Sequence, residues 1–376
     1  MPDGPGSAAG LPSMDVPGRL ARLRAGLQKA GCGALLVTHL VNIRYLTGFT
    51  GSAAKLFVTP DDAVLVTDGR YREQAALEMD CSGGARLVVA GDADQWTLLG
   101  ELARKAGKVG LEADHVSWGR QMRLAGEWAP ECELVAARGL VEELRLVKDD
   151  GEIARVQAAA GVADRALQGL LSLLGERPTE AEFALALDSE MRRLGATKPA
   201  FDTIVACGPG GAEPHHQPGA RRIEVGDVVV VDFGAEVAGY RSDMTRTLVA
   251  GSGAACGGAP SVAWLGEAMA VVTASQESGL AAVRPGVCAA EVDAACRAVL
   301  ERAGMGELLV HGTGHGVGLD IHEAPWLSAP STDILQAGQV ITVEPGVYLP
   351  GVGGARTEDT VVVTEDGCRA LTLAPK

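Results

Sequence analysis

Acidic and histidine side chains are concentrated in three segments of the C-terminal half of the chain, where most other residues are apolar or glycine. The segments read VVVVDFGAEVAGYRSDMTRT, HGTGHGVGLDIHE and VEPGVYLPGVGGARTEDT. Their candidate site residues are Asp232, Asp243, His311, His315, His322, Glu344, Arg356 and Glu358. Carboxylates in runs this apolar repel one another unless a cation lies between them. The pattern therefore indicates a metal site.

The acids of the first and third segments are expected to face each other in two β-hairpins. In the first segment, β-branched runs flank an Ala-Gly break. A turn centred on Val237–Ala238 places Asp232 directly opposite Asp243, with Cβ atoms about 5 Å apart. In the third segment, a turn within the Gly-rich stretch places Glu344 opposite Glu358. Each hairpin then offers a facing pair of carboxylates.

Four carboxylates and one imidazole form an oxygen-rich ligand set, which suits a pair of divalent transition metals. Two ions about 3.5–4 Å apart would form a two-metal hydrolytic centre. We expect two divalent ions per chain, with Mn²⁺ as the first candidate and Co²⁺ or Zn²⁺ as alternatives, because the ligand preferences of these metals overlap.

The histidines near these acids are candidates for proton transfer and for hydrogen bonds to a polarised carbonyl. Alternate glycines around His311 and His315 disfavour a helix, and residues four apart in a strand share a face. His322 has the opposite parity, so the chain must bend to bring it to the same place. His215 and His216 lie in a loop containing Pro and Gly, and His216 is expected to be merely exposed.

Length and composition limit the function further. With 376 residues the chain is long enough for two domains, and its net charge of −15 argues against a nucleic-acid partner. No apolar run is long enough for a membrane span, and the start lacks the pattern of a signal peptide. The eight cysteines are scattered without a C-x-x-C pair. We therefore expect reduced thiols and a cytoplasmic protein.

The chain is expected to contain two domains with different organisation. Helices and strands alternate between residues 17 and 111, which predicts an α/β domain. His39 and His115 are isolated in this part of the sequence and are expected to be structural. The boundary is placed near Arg138–Lys148, giving domains at 15–138 and 139–376. Residues 1–14 are rich in Gly, Pro and Ser and predict a disordered tail.

The motifs VDFGA, SDMTRT, HGTGHGVGLDIHE, VEPGVY and RTED resemble those of the proline-specific metallopeptidases of the pita-bread fold, the aminopeptidase P and prolidase group. The stretch NIRYLTGFTGS is similar to the creatinase-like N-terminal domain of the same family. The resemblance implies an α+β fold class, with a pita-bread catalytic domain preceded by a creatinase-like α/β domain. It also implies a homodimer.

The resemblance also implies roles for individual residues. The metal ligands would be Asp232, Asp243, His315, Glu344 and Glu358, with Asp243 and Glu358 bridging the two ions. The residues acting on the substrate would be His215, His311 and His322. Arg356 would orient carboxylates, with Thr245 and Tyr348 in support, and Glu344 could also relay a proton to the departing proline nitrogen.

The resemblance leaves the length of the substrate open. Both groups of enzyme act on peptides with proline in second position, and a dipeptidase must also hold the proline carboxylate. Similar prolidases often carry arginine in the pattern H-E-x-P-R, whereas this chain has Trp326 at that position. The sequence therefore favours an Xaa-Pro aminopeptidase, with an Xaa-Pro dipeptidase as the alternative. A non-catalytic peptide-binding protein is a remote alternative, because every expected ligand is present.

Overall fold

The computed structural model describes residues 10–80, 84–251 and 260–376, so most of the expected N-terminal tail lies outside the described residues. The chain divides into two compact units, Met14–Arg145 and, for the rest of the chain, chiefly Leu146–Lys376. The first unit ends at Arg145, seven residues after the predicted end of the first domain at residue 138. Within the described ranges, no helix is both long and apolar enough to cross a bilayer.

The first unit is built from six helices and six strands among its described residues. The helices are α1 (Val16–Lys29), α2 (Leu40–Thr47), α3 (Arg72–Asp80), α4 (Asp92–Ala106), α5 (Trp118–Arg123) and α6 (Glu142–Arg145). The strands are β1 (Ala34–Val37), β2 (Ala54–Val58), β3 (Ala63–Thr67), β4 (Arg86–Val89), β5 (Lys108–Glu112) and β6 (Glu133–Ala137). They form one mixed sheet in the order β4-β3-β2-β1-β5-β6.

Local sequence explains most of this unit. In α1 the apolar residues Leu20, Leu23 and Leu27 recur at helical spacing and are buried. All four residues of β1 are buried, which fits a central strand covered on both faces. The helices and strands predicted between residues 17 and 111 are present. The elements α2, α5, β6 and α6 are additional. A helix of at most eight residues makes only about two turns and gives little periodic signal.

The second unit contains the remaining four α-helices and thirteen strands of the described chain. The helices are α7 (Asp150–Leu170), α8 (Glu180–Arg193), α9 (Pro260–Ala282) and α10 (Ala289–Arg302). The earlier strands are β7 (Lys198–Pro199), β8 (Ile204–Cys207), β9 (Val228–Phe233), β10 (Ala235–Val237), β11 (Tyr240–Arg241) and β12 (Met244–Val249). The later strands are β13 (Gly314–Gly316), β14 (Glu323–Leu327), β15 (Val340–Val343), β16 (Gly346–Leu349), β17 (Gly353–Arg356), β18 (Asp359–Val363) and β19 (Cys368–Ala370).

Helices cover the strands of this unit in two places. α7 and α8 pack on β8, β9 and β10 through residues such as Leu167, Phe183 and Val231. α9 and α10 pack on the five-stranded sheet β14-β13-β15-β18-β19 through residues such as Val292 and Val343. A capping box formed by Thr179 and Glu182 starts α8. The strands that carry the candidate site residues are therefore held against rigid helical layers.

The first hairpin has a register that differs from the prediction. Its two-residue turn is Ala238–Gly239, with φ angles of 49° and 83°, and Asp232 pairs with Thr245. The predicted direct pairing of Asp232 with Asp243 is therefore wrong. Moving the turn by one residue shifts each cross-strand partner by two positions. The side chains of Asp232 and Asp243 therefore still lie on the same face of the hairpin. The predicted turn includes the β-branched Val237, whereas the observed turn includes Gly239, which adopts a positive φ without steric cost.

Candidate metal centre

The acids of the third segment face each other as predicted. Glu344 directly follows β15, and Glu358 lies between β17 and β18. The β15–β18 and β16–β17 pairs on either side of them keep one continuous register. Glu344 and Glu358 therefore lie at the same level on neighbouring chain segments, which brings two carboxylates close together in a buried region.

His315 lies in the short strand β13, which is between β14 and β15 in the sheet. A Cβ atom at Gly314 would lie 2.1 Å from the Thr342 carbonyl oxygen, and one at Gly316 would lie 2.2 Å from that of Ala324. The alternate glycines thus allow backbones to approach closely. The Nδ1 atom of His315 lies 3.0 Å from the Gly316 carbonyl oxygen, to which it can donate, leaving Nε2 for the carboxylates.

The four acids and His315 form two overlapping groups of potential ligands. Asp232, Asp243 and Glu358 make one group, and His315, Glu344 and Glu358 make the other. Within each group the ligand atoms lie within 4.8 Å of one another. His315 Nε2 is 3.4 Å from Glu344 and 3.5 Å from Asp243. Because Glu358 belongs to both groups, two neighbouring cations could share it.

The electrostatics of the centre favour bound cations. Burial first, and then repulsion from neighbouring carboxylates, raises the pKa of Asp243 and Glu358 well above the usual range. Burial likewise raises the pKa of Glu344. Oδ1 of Asp232 is buried without a hydrogen-bond partner among the described residues. An oxygen in that position fits a metal ligand, because a buried polar atom without any partner destabilises the folded state.

Arg356 links the acids to the surrounding residues. It contacts Asp232 at 2.5 Å through one terminal nitrogen and donates to the Tyr348 hydroxyl at 2.7 Å through the other. Its Nε donates to Thr245, which in turn donates to Glu358 at 2.7 Å. Although burial lowers it, contacts with Tyr348 and Asp232 raise the pKa of Arg356 above its usual value. The guanidinium is thus a permanent cation committed to orienting these groups.

His311 lies beside this network. Its Nε2 lies 2.8 Å from the Tyr348 hydroxyl, and its Nδ1 lies 2.6 Å from the Gly312 carbonyl oxygen. Burial lowers the pKa of His311, so the neutral ring can donate from Nδ1 and accept from Tyr348. Both ring nitrogens are therefore engaged with the protein.

His322 and Trp326 lie on the other side of His315. The His322 ring is edge-on to that of His315, with centroids 4.4 Å apart. The bend between β13 and β14 supplies the change of direction that the parity of His322 requires. Partial burial, and then the neighbouring His315, lowers the pKa of His322 to about 4. The Trp326 indole, 48% exposed, lies 6.5 Å from the His322 ring.

The loop with His215 and His216 contradicts one prediction. His216 is half-buried, with Nε2 3.0 Å from Glu180 and Nδ1 2.9 Å from Glu213, whereas His215 is the exposed member. The expectation that His216 is merely exposed is therefore wrong. Although burial lowers it, the hydrogen bonds to Glu213 and Glu180 raise the pKa of His216.

Glu180 was missed by the sequence analysis. It is 1% exposed and accepts hydrogen bonds from the backbone of Cys207 and Gly219 as well as contacting His216. It therefore anchors both ends of the loop that carries His215. An acid in the first turn of a helix usually serves the helix itself, so nothing in the local pattern distinguishes this one.

A cavity of about 880 Å³ opens over the centre. All the candidate site residues line it: His215, Asp232, Asp243, His311, His315, His322, Glu344, Arg356 and Glu358. Its wall also includes Phe201 and Trp326. The volume is within the range of sites for small molecules and short peptides.

Comparisons with known proteins identify the family. Residues 154–365, more than half of the chain, match metallopeptidase family M24. The chain belongs to this family. Residues 19–147 match the creatinase/prolidase N-terminal domain. The predicted two-domain fold class and the resemblance to the pita-bread metallopeptidases are therefore confirmed, and the chain is a metallo-exopeptidase.

Individual relatives align with nearly the full length of this chain. An uncharacterized peptidase of Bacillus subtilis is 37% identical over 358 residues, covering 95% of this chain and 98% of the relative. The structure of an Xaa-Pro dipeptidase from Bacillus anthracis has a TM-score of 0.89 and 36% identity, covering 96% of this chain and 98% of that one. An X-Pro aminopeptidase from Thermotoga maritima has a TM-score of 0.83 and 32% identity, covering 93% and 97%.

Proposed function

We propose that the chain is a two-metal exopeptidase that releases the first residue of peptides with proline in second position. The two ligand groups that share Glu358 support this proposal most directly. In it, Asp232 would hold one ion, His315 and Glu344 would hold the other, and Asp243 and Glu358 would contribute to both. Mn²⁺ is the proposed metal, since oxygen ligands predominate, with Co²⁺ or Zn²⁺ as alternatives.

Bound metal ions supply an activated water and a polarised scissile carbonyl. The residues of this chain then position the substrate and move its protons. Glu344 can take up the proton released by the activated water and pass it to the departing proline nitrogen. An Xaa-Pro bond has no N–H, so the cavity needs no acceptor at that point. His322, which is neutral near pH 7, and the exposed His215 are proposed to contact the peptide.

Of two candidate activities, we propose first that the chain is an Xaa-Pro dipeptidase. The Bacillus anthracis structure exceeds the Thermotoga maritima structure in both TM-score and identity, and it is the one named as a dipeptidase. The preference of the sequence for an aminopeptidase rests on Trp326 and on the commitment of Arg356 to its neighbouring acids. The names of the relatives support the dipeptidase better.

An Xaa-Pro aminopeptidase is the second candidate because of the charges in the cavity. Among the described residues that line it, Arg356 is the single lysine or arginine. It is engaged with Asp232 and Tyr348 and is not available for a proline carboxylate. Trp326 offers an apolar surface where an arginine would serve a dipeptide.

One hydrolysis experiment tests both the reaction and the substrate class. The Mn²⁺-loaded protein is given Ala-Pro, Ala-Pro-Ala and a longer Xaa-Pro peptide under identical conditions. Cleavage of Ala-Pro alone supports the dipeptidase, and cleavage of the two longer peptides with little of Ala-Pro supports the aminopeptidase. Failure to cleave any of the three, with metal bound, contradicts the proposal. The expected homodimer is tested on the same sample by light scattering during gel filtration.

A further inference from the structure

The first unit contains a second group of side chains with metal-ligand chemistry. His39, His115 and Glu142 each offer one ligand atom, and these atoms lie within 4.8 Å of one another. The two histidines are isolated in the sequence, yet their rings stack with centroids 3.7 Å apart and planes 10° from parallel. We propose that these three residues bind one divalent transition-metal ion, of which Zn²⁺ is the best match, independently of the catalytic centre.

The topology of the sheet explains why the two histidines meet. β1 and β5 are adjacent parallel strands, with Leu36 beside Leu111. His39 follows the end of β1 by two residues, and His115 follows the end of β5 by three. Carboxyl ends of neighbouring parallel strands lie at one edge of a sheet, where binding sites commonly form. Glu142 is the first residue of α6 and reaches the same edge.

Buried polar residues hold two of the proposed ligands in place. Glu112, 5% exposed, accepts hydrogen bonds from the backbone nitrogens of Thr38 and His39 at 2.7 and 2.8 Å. Asn42, which is fully buried, donates to Glu112 at 2.8 Å and to Glu142 at 2.6 Å. Outer residues that orient ligands in this way are a usual part of metal sites.

The spacing of the ligand atoms is close to what an ion requires. His115 Nε2 lies 2.9 Å from Glu142 Oε1, and nitrogen and oxygen ligands of a tetrahedral zinc lie about 3.3 Å apart. The nearly parallel rings do not yet direct both lone pairs at one point, so one ring must rotate. The His115 side chain is 28% exposed and Glu142 is 39% exposed, so the surface leaves room for that movement.

The ligand types indicate which metal binds and what it does. Two imidazoles and one carboxylate form a three-ligand set that Zn²⁺ uses with a water in the fourth position. This nitrogen-rich set favours Zn²⁺ or Co²⁺ over Mn²⁺, in contrast to the oxygen-rich catalytic centre. A bound ion would connect α6 to the ends of β1 and β5, so it should stabilise the first unit against unfolding.

Zinc binding to the full chain tests the site without relying on activity. The catalytic centre is first weakened by the double replacement Asp243→Asn and Glu358→Gln, and the metal-free protein is titrated with Zn²⁺ in a calorimeter. We expect a remaining site with one ion per chain. Adding His115→Ala should remove it, and adding Glu142→Gln should weaken it. The matched control is Glu143→Gln, which changes the next, exposed acid of α6 and should leave binding unchanged.

Thermal unfolding provides the second measurement. Zn²⁺ should raise the Tm of the double variant, and the rise should be lost with His115→Ala, whose metal-free Tm shows whether the fold is intact. If the double replacement itself unfolds the protein, the comparison is made in the wild-type chain, where His115→Ala should reduce bound zinc by one ion per chain. Equal zinc content and equal zinc-dependent Tm with and without His115 would overturn the proposal.

Discussion

The ammonium nitrogen of Lys148 lies 2.5 Å from Oε1 of Glu323, and the two side chains are only 1% and 12% exposed. Glu323 directly follows His322 in the chain. Lys148 is also fixed through its backbone nitrogen, which donates to the Gly338 carbonyl oxygen at 3.0 Å. The ion pair thus joins the segment before α7 to the start of β14, and it fixes the chain at the residue next to His322.

Removing this ion pair should weaken both folding and catalysis. We expect Lys148→Met to lower the free energy of unfolding by about 3–5 kcal/mol, because a buried carboxylate loses its ion-pair partner. The turnover number should also fall, because His322 is adjacent to the released Glu323. Thermal unfolding and kcat are measured on the same preparation. Adding Glu323→Gln should recover much of the stability, and a Lys148→Met protein as stable as wild type would contradict the role of the pair.

Loss of a bridging carboxylate should abolish activity. Asp243→Ala or Glu358→Ala removes a ligand proposed to be shared by both ions and leaves the neighbouring acids uncompensated. We expect bound metal, measured by mass spectrometry after dialysis, to fall together with kcat. Glu365→Ala, which changes an exposed acid outside the cavity, is the control. Full activity in either bridging variant would remove that residue from the ligand set.

His322 is close enough to the centre for its role to need a direct test. Its ring nitrogens form a possible ligand group with Asp243 and His315, whereas the proposed function assigns it to the substrate. We expect His322→Ala to lower kcat about 10²–10³-fold, the usual effect of losing a side chain that hydrogen-bonds the reacting carbonyl, with metal content unchanged. A loss of metal in this variant would make His322 a ligand instead.

The metal-free protein should lose stability as the pH rises. The raised pKa values of Asp243, Glu344 and Glu358 mean that the folded state holds protons more tightly than the unfolded state. This contribution is fully present below the unfolded pKa of about 4 and is lost as the pH rises through the raised folded values. Chelated protein should therefore have a lower Tm at about pH 8 than at about pH 5.

Two comparisons isolate the carboxylates as the cause of this pH dependence. Glu358→Gln should flatten the fall of Tm in the chelated protein, because one titrating group is gone. Bound metal should remove most of the fall in the wild-type protein, because the ions replace the protons. A chelated protein whose Tm rises between about pH 5 and about pH 8 would contradict the raised pKa values.

How well the sequence predicts the pairing of these acids depends on whether residue types fix the position of each hairpin turn. The pairing of Glu344 with Glu358 was predictable, because the stretch around Gly351 allows one turn and both flanking ladders keep its register. The pairing of Asp232 with Thr245 was not, because it depends on a positive φ at Ala238 that the residue type disfavours. One residue in a turn is enough to change a cross-strand partner.

Contacts between segments that are distant in the chain could not be predicted from the sequence. His39 and His115 follow strands that are neighbours in the sheet but far apart in the chain. Glu180 is part of an ordinary helix start and anchors a loop through hydrogen bonds that only the fold creates. Local periodicity predicts helices and strands, whereas these contacts depend on which strands become adjacent.

Trp326 should influence which end of the substrate the cavity accepts. An indole cannot pair with a carboxylate, whereas the arginine of Trp326→Arg could bind the free carboxylate of a dipeptide. We expect this variant to raise kcat/KM for Ala-Pro relative to Ala-Pro-Ala by about 10-fold, the effect of one charge-assisted hydrogen bond of roughly 1.4 kcal/mol. Trp326→Phe keeps an apolar ring and should leave the ratio close to that of wild type. If both variants change the ratio equally, the effect arises from ring size, and the position does not read the charge at the end of the peptide.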